Sequence, residues 1–452
     1  MMFADVANST RLFIVGNCMS YAAPKFFLAE RRDGLGERFC AILNAIHLSQ
    51  RLDCQFSIWW PETKLMSRSE FHTLPKAHEI FAADFLARHF TEDEPDRTRF
   101  VTLKPRHATL AYGAYHSELM RDDFDGWICP QRDLRDASDT ANQPLETFSY
   151  GRAFQRIKFT AAFQTALDLA RTVPLNPRTV AVHVRGGDLV FGLAKQFPAL
   201  LNKAIPAPMG RVIVRNLRAQ GLPVLVFGQE PETIALLEKH GAQGVSRISE
   251  CRFQNRTQQD LFEIVLMSRC GMTYTGESGF SRLAAMIGDK KPFKPLESLR
   301  PKEQYKMISR ELFWHGRAYK PLAAAAAWKY LYYGLGYALS QKQQEKALER
   351  ARQLDPENCL YVLSLATHHF CKGKFELGDD LLGGLLKSEY LQAGKMAVTA
   401  SMRHFANPRR KMFPLDANPP RKMFLLDRDF PAFELAAAAG MPVPSLVVLE
   451  FA

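Results

Sequence analysis

At 452 residues the chain is too long for one typical domain and predicts two or three. Its composition, 47% hydrophobic and 23% charged, is that of a globular protein, and no apolar run reaches the roughly 20 residues that span a bilayer. The net charge of +12, from 59 basic and 47 acidic side chains, suits an anionic partner such as a nucleotide diphosphate or, at most peripherally, a membrane surface; without zinc-finger spacing or a dense Lys/Arg helix it excludes nucleic acid. The opening residues lack a basic cluster followed by an apolar stretch, which predicts a cytoplasmic protein. Eight scattered cysteines then read as reduced thiols, with no metal site.

An apolar run at 11–15 reads as a strand, and a second at 26–28 leads into Asp33-Gly34-Leu35-Gly36-Glu37-Arg38. Behind these glycines Phe39, Ile42, Leu43 and Ile46 recur at helical spacing, and 56–60 is β-prone up to Pro61. Strand, glycine turn, helix and strand make a βαβ unit and predict a parallel sheet. From 62 to 150 short helices, the best at 78–90, mix with polar loops.

A second alternation follows a helix over 154–171. Strands are expected at 180–184, 224–227, 245–248 and 272–275, and helices at 209–220, 230–239, 259–268 and 280–287. Beyond 320 the pattern is all-helical: 323–339, 341–354, 361–370 and 375–386, with small residues at Gly334, Gly336, Ala347 and Ala351 and a closing Pro356, as in a tetratricopeptide unit. The tail carries a tandem duplication, 406–416 followed by 417–427, whose prolines disfavour regular structure. The expected domains are 10–150 (α/β), 151–318 (α/β), 319–395 (helical) and 396–452 (loosely ordered tail).

The strongest local signal is the strand at 180–184 ending in His183, Arg185, Gly186, Gly187 and Asp188. Ligands of open α/β sheets lie beyond the carboxyl ends of strands. Arginine can grip a diphosphate with its planar fork, and paired glycines let backbone N–H groups approach it. The plain alternative is an Arg185–Asp188 ion pair beside a tight turn.

His-X-Arg followed by Asp after an apolar strand resembles the first motif of the α1,6- and α1,2-fucosyltransferases and, more loosely, of the protein O-fucosyltransferases. The segment 33–39 is similar to that family's acceptor-side glycine turn, 224–232 (with Gln229 and Glu230) to its second motif, and 260–269 with 277–284 to its third. The likeness is greatest to the bacterial nodulation group and covers roughly residues 25–290. It implies a GT-B-like fold: α/β, two Rossmann-like domains facing a cleft, here followed by the tetratricopeptide-like region. It also implies a GDP-fucose donor, inversion at the anomeric carbon, and neither metal nor other cofactor.

Carried over, Arg185 would hold the diphosphate, His183 would contact the donor, Asp188 would orient Arg185 or touch the donor, and Ser278 would bond a phosphate. Gly186, Gly187, Gln229, Glu230, Asp260, Glu263, Ser281 and Arg282 complete the implied donor set. The chain departs from the family at Arg185-Gly186, where α1,6 enzymes usually carry two arginines, and at Gln229-Glu230, where acidic residues are common. Glu37 is the expected general base, with Glu277 and Asp33 as rivals. The expected function is transfer of a sugar from a GDP-sugar to a glycan or other hydroxyl acceptor, with the helical region recruiting a protein or mediating self-association. A nucleotide-sugar-binding module without catalysis is the alternative.

Overall fold

A computed structural model describes residues 26–51, 53–61, 74–103, 124–135, 149–192, 195, 198–248 and 253–386, and two tail strands at 423–426 and 447–450. The strand expected at 11–15 lies outside them. β1 (Phe26–Glu30) passes through the glycine turn into α1 (Leu35–Arg51), and β2 (Gln55–Trp59) returns parallel to β1, Phe26 opposite Gln55. Residues 35–49 of α1 are buried on every side, as expected of a helix clamped between layers. Asn44 on it is fully paired: it donates to the carbonyls of Pro130 (2.7 Å) and Arg132 (2.8 Å) and accepts from the Tyr150 hydroxyl (2.6 Å). Arg38 donates to the carbonyls of Asp33 and Pro61 and lies over the Trp60 ring. β3 (Phe90–Thr91), β4 (Phe100–Thr102) and β5 (Gly126–Ile128) complete a parallel sheet of order β3-β2-β1-β5-β4.

Two helices expected to be continuous are each broken, and by the same contact. The stretch 78–90 divides into α2 (Ala77–Ile80) and α3 (Ala83–His89), and 154–171 into α4 (Tyr150–Gln155) and α5 (Ala161–Thr172). Between the pieces Phe81 and Phe159 form an antiparallel bridge, with Ala82 N–H donating to Lys158 O (3.0 Å) and Thr160 N–H to Ile80 O (2.9 Å). Both phenylalanines pack around Phe39 of α1. Burying two such rings, about 1.5–3 kcal/mol each, outweighs the turn of helix given up at each break.

The second sheet is built by β6 (Val180–His183), α6 (Ala207–Ala219), β7 (Val224–Phe227), α7 (Pro231–Glu238), β8 (Gln243–Gly244), α8 (Arg256–Arg269), β9 (Met272–Tyr274) and α9 (Gly279–Ile287). All strands are parallel in the order β8-β7-β6-β9. The strand expected at 245–248 is corrected: β8 ends at Gly244 and a 3-10 turn spans Val245–Arg247. A short apolar run does not distinguish an edge strand from a buried turn.

The helical region comprises α10 (Pro295–Ser298), α11 (Pro301–His315), α12 (Pro321–Tyr333), α13 (Gln341–Leu354), α14 (Cys359–Cys371) and α15 (Phe375–Leu386). The helix expected at 323–339 stops at Tyr333 because Gly334 and Gly336 weaken it, and a 3-10 turn follows at Gly336–Ala338. One apolar cluster joins the first sheet to α1, α5, α8 and α9; a second runs from β6, β7 and α6 into α11, α12 and α13 without a gap at residue 318. Among the described residues no helix is long and apolar enough to cross a membrane. In the tail β10 (Met423–Leu426), inside the second copy of the duplication, pairs antiparallel with β11 (Val447–Glu450). The rest of the duplication lies outside the described residues.

The architecture is thus mixed α/β, two parallel, doubly wound sheets followed by helices.

Candidate functional site

Each sheet reverses its winding once. In the first, the chain runs from β1 to β2 to β3 and then crosses so that β5 lies on the other side of β1. In the second it runs from β6 to β7 to β8 and crosses to β9 beside β6. Helices leave opposite faces of the sheet at such a point, which opens a crevice at the carboxyl ends of the strands. Here the two openings meet. Gly36, after β1, abuts Gly279, after β9: a Cβ on Gly36 would lie 2.4 Å from the Gly279 carbonyl carbon. Glycine is required at this approach of backbone to backbone.

Beside this contact lies a crevice of about 680 Å³, walled by Arg132 and Asp133 beyond β5, by Thr275, Gly276, Glu277 and Ser278 beyond β9, by Arg282 on α9, and by Lys291, Lys294 and Glu297. Ligand sites commonly measure about 300–1,000 Å³, so the crevice is of ligand-binding size. Ser278 precedes the first turn of α9, whose leading N–H groups have no acceptor within the helix. The Ser278 hydroxyl is fully buried in the crevice wall and finds no partner among the described residues.

The cations here are arranged against carboxylates. Arg282 donates to Glu37 (2.8 Å) and to the Gln131 carbonyl (3.2 Å), and Lys203 lies 3.5 Å from Glu37. Burial works against the Arg282 charge, but Glu37 and Glu277 outweigh it and raise its pKa. Lys294 pairs with Glu277. Burial alone would raise the Glu277 carboxyl, yet hydrogen bonding from Glu297 and Lys294 holds it down to about 2, while burial and Glu277 push Glu297 up. Of this pair, Glu277 is firmly ionised and Glu297 takes up a proton more readily.

The glycine turn beyond β6 is organised differently. Gly187 (φ +44°) donates its N–H to Glu230 (2.8 Å), which also accepts from the Thr233 hydroxyl (3.0 Å), and a Cβ on Gly186 would overlap the Glu230 carboxylate. Burial raises the pKa of Glu230. Arg185 pairs with Asp188 at 3.1 Å, so the ion pair weighed from the sequence is formed. Arg185, Gly186 and Glu230 line a separate cavity of about 50 Å³, closed over by Lys329 and Tyr330 of α12. That is space for water and too little for a nucleotide. The Gly187 amide, expected to face a phosphate, is taken here by Glu230.

His183 ends β6 on the side of α9, stacked on Phe280 with centroids 5.3 Å apart. Burial and the nearby Arg185 press its pKa down to about 3, so the ring is neutral. Its Nδ1 and the Gln229 amide oxygen are buried without partners among the described residues. Ser281 lies beneath the crevice, bonded to Thr275. Asp260 pairs with Arg256 on the same helix, and Glu263, pushed up to about 7 by burial, accepts from Gln259 (2.9 Å); neither lines the crevice. Glu37 binds Arg282 and Lys203 just outside it, whereas its rival Glu277 lies in its wall. Arg132, Lys291, Lys294 and Glu297 were not singled out in the sequence; the run Lys290-Lys291-Pro292-Phe293-Lys294-Pro295 shortly after α9 was the signal for two of them, Lys291 and Lys294.

No protein-family model matches the sequence, and no curated protein matches it. Among solved structures, fucosyltransferase NodZ from Bradyrhizobium is similar at 15% identity and a TM-score of 0.33, covering 58% of this chain and 93% of its own. POFUT1 in complex with GDP-fucose is similar at 13% identity and a TM-score of 0.30, covering 61% of this chain and 96% of its own.

Proposed function

We propose that the chain is a cytosolic glycosyltransferase that binds a nucleotide-diphosphate sugar, GDP-fucose, in the crevice where the two switch points meet. It passes the sugar with inversion, and without a metal, to a hydroxyl of a glycan or similar acceptor. The observation that carries this reading is the crevice itself: two parallel sheets open onto one space lined by Arg132, Arg282, Lys291 and Lys294. The order of four motifs in the sequence supplies the choice of donor.

In this reading the α9 N-terminus and the Ser278 hydroxyl receive a phosphate, and the cations offset the charge that develops as the anomeric C–O bond breaks toward the diphosphate. The acceptor oxygen bonds to the anomeric carbon from the opposite face, and its proton passes to Glu297, the carboxylate whose proton affinity is raised. Glu37 acts by holding Arg282 in place. The tetratricopeptide-like helices present the acceptor or a partner protein.

A second reading, a nucleotide-sugar-binding module without turnover, is favoured by one observation: Glu230 and Asp188 already occupy the glycine turn and Arg185. The two readings separate in a single assay. Full-length protein incubated with GDP-fucose in EDTA should release GDP, and Arg282→Ala should lower the rate about 100-fold or more, the loss typical of a removed charge-stabilising donor. Binding without release in the presence of acceptor would favour the module, and release only after adding manganese would contradict metal independence.

A further inference from the structure

The outer face of α11 takes no part in the crevice. Lys302, Lys306, Arg310, Phe313, Trp314 and Arg317 are all exposed. At about 100° per residue the first five fall within an arc of roughly 120° on α11, and Arg317 follows in the 3-10 turn at Gly316–Ala318. The opposite arc carries Ile308 and Leu312, buried in the second apolar cluster, and Glu311, bound to Arg211 of α6. The helix is thereby pinned, and its outer face is a fixed strip about 22 Å long. Glu303 also falls in this arc, but its carboxylate is paired with the exposed Arg300. Lys302, Lys306, Arg310 and Arg317 have no ion-pair partner among the described residues. At the end of the row stand Phe313 and Trp314, 74% and 73% exposed, their rings edge to face at 4.9 Å.

We propose that this face docks on an anionic phospholipid bilayer. Trp314 and Phe313 enter the boundary between headgroups and acyl chains, and the four cations meet lipid phosphates and carboxylates. The charge of the row matches that surface, as does the chain's net charge of +12. An indole, apolar with one polar N–H, is suited to the headgroup level, and basic side chains beside it are drawn to an anionic lipid surface. A single-stranded nucleic acid fits less well, because the two rings pack against each other and do not stand open as successive stacking platforms.

Flotation of the full-length protein with vesicles tests this, comparing phosphatidylcholine alone with phosphatidylcholine containing about a third phosphatidylserine. Binding is expected with the anionic vesicles only and should be released by high salt. Lys302→Gln with Lys306→Gln should weaken it about 25-fold, at roughly fivefold per basic residue near the surface. Trp314→Ala should weaken it while leaving the circular dichroism spectrum unchanged, which distinguishes lost docking from lost fold. Equal partitioning into both vesicle types, or wild-type binding by these variants, would overturn the proposal. So would binding of single-stranded RNA through the same residues with no binding to vesicles.

Discussion

Gly36 carries a sharp consequence at the scale of a single residue. A methyl group there would meet the Gly279 carbonyl and the Phe280 nitrogen, backbone atoms that cannot turn aside, so the two halves would have to separate. Gly36→Ala should therefore cost about 1–3 kcal/mol or more in chemical denaturation and weaken donor binding with it. Wild-type stability in that variant would mean that α1 and α9 do not meet as described. His183 makes a second prediction. Its folded pKa of about 3 lies below the ordinary 6.5, so between those values the unfolded chain binds a proton that the native chain does not. The stability this confers is complete above about 6.5 and is lost as pH falls toward 3. The His183 ring resonances should show no titration between about pH 5 and 8, and a midpoint near 6.5 would show the ring open to water.

At the scale of elements, α12 ties the helical region to the second sheet. Lys329 is buried, donates to the Lys195 carbonyl (2.6 Å), and is held down to about 8 by burial, which outweighs the pull of Asp355. Its folded pKa lies below the ordinary 10.5, so stability rises as pH climbs through that window. Measured against Lys329→Met, the wild type should gain stability, on the order of 3 kcal/mol in full, between about pH 8 and 10.5. A constant difference would contradict burial of the charge. Because Val182, Val214 and Val226 share one apolar cluster with Ala327, Leu331 and Leu348, a chain ending at residue 318 should expose that cluster and unfold without a cooperative transition.

Most elements were legible in the sequence because periodicity reports which face is buried: α13 and α15 fall at the residues expected, and β6 to within one. The breaks at Phe81 and Phe159 were not legible, since they depend on two segments nearly 80 residues apart meeting at Phe39. Of the crevice wall, Glu277, Ser278 and Arg282 were singled out in the sequence, whereas the strand end at Arg185 and Gly186 lines a separate small cavity, and the partners were not legible. Glu230 binding the Gly187 amide and Glu37 binding Arg282 are long-range pairings that no local spacing encodes.

At the scale of the whole molecule, the central claim is that two sheets hold one anion-binding crevice between them. Calorimetric titration of the full-length protein with GDP, in EDTA, tests it most directly. Saturable binding is expected of the wild type and of Lys302→Gln, and binding at least about tenfold weaker of Arg282→Ala, since a charge-assisted hydrogen bond contributes roughly 1.5–3 kcal/mol. A wild type that takes up no GDP, or an Arg282→Ala variant that binds it as tightly as the wild type, would contradict it.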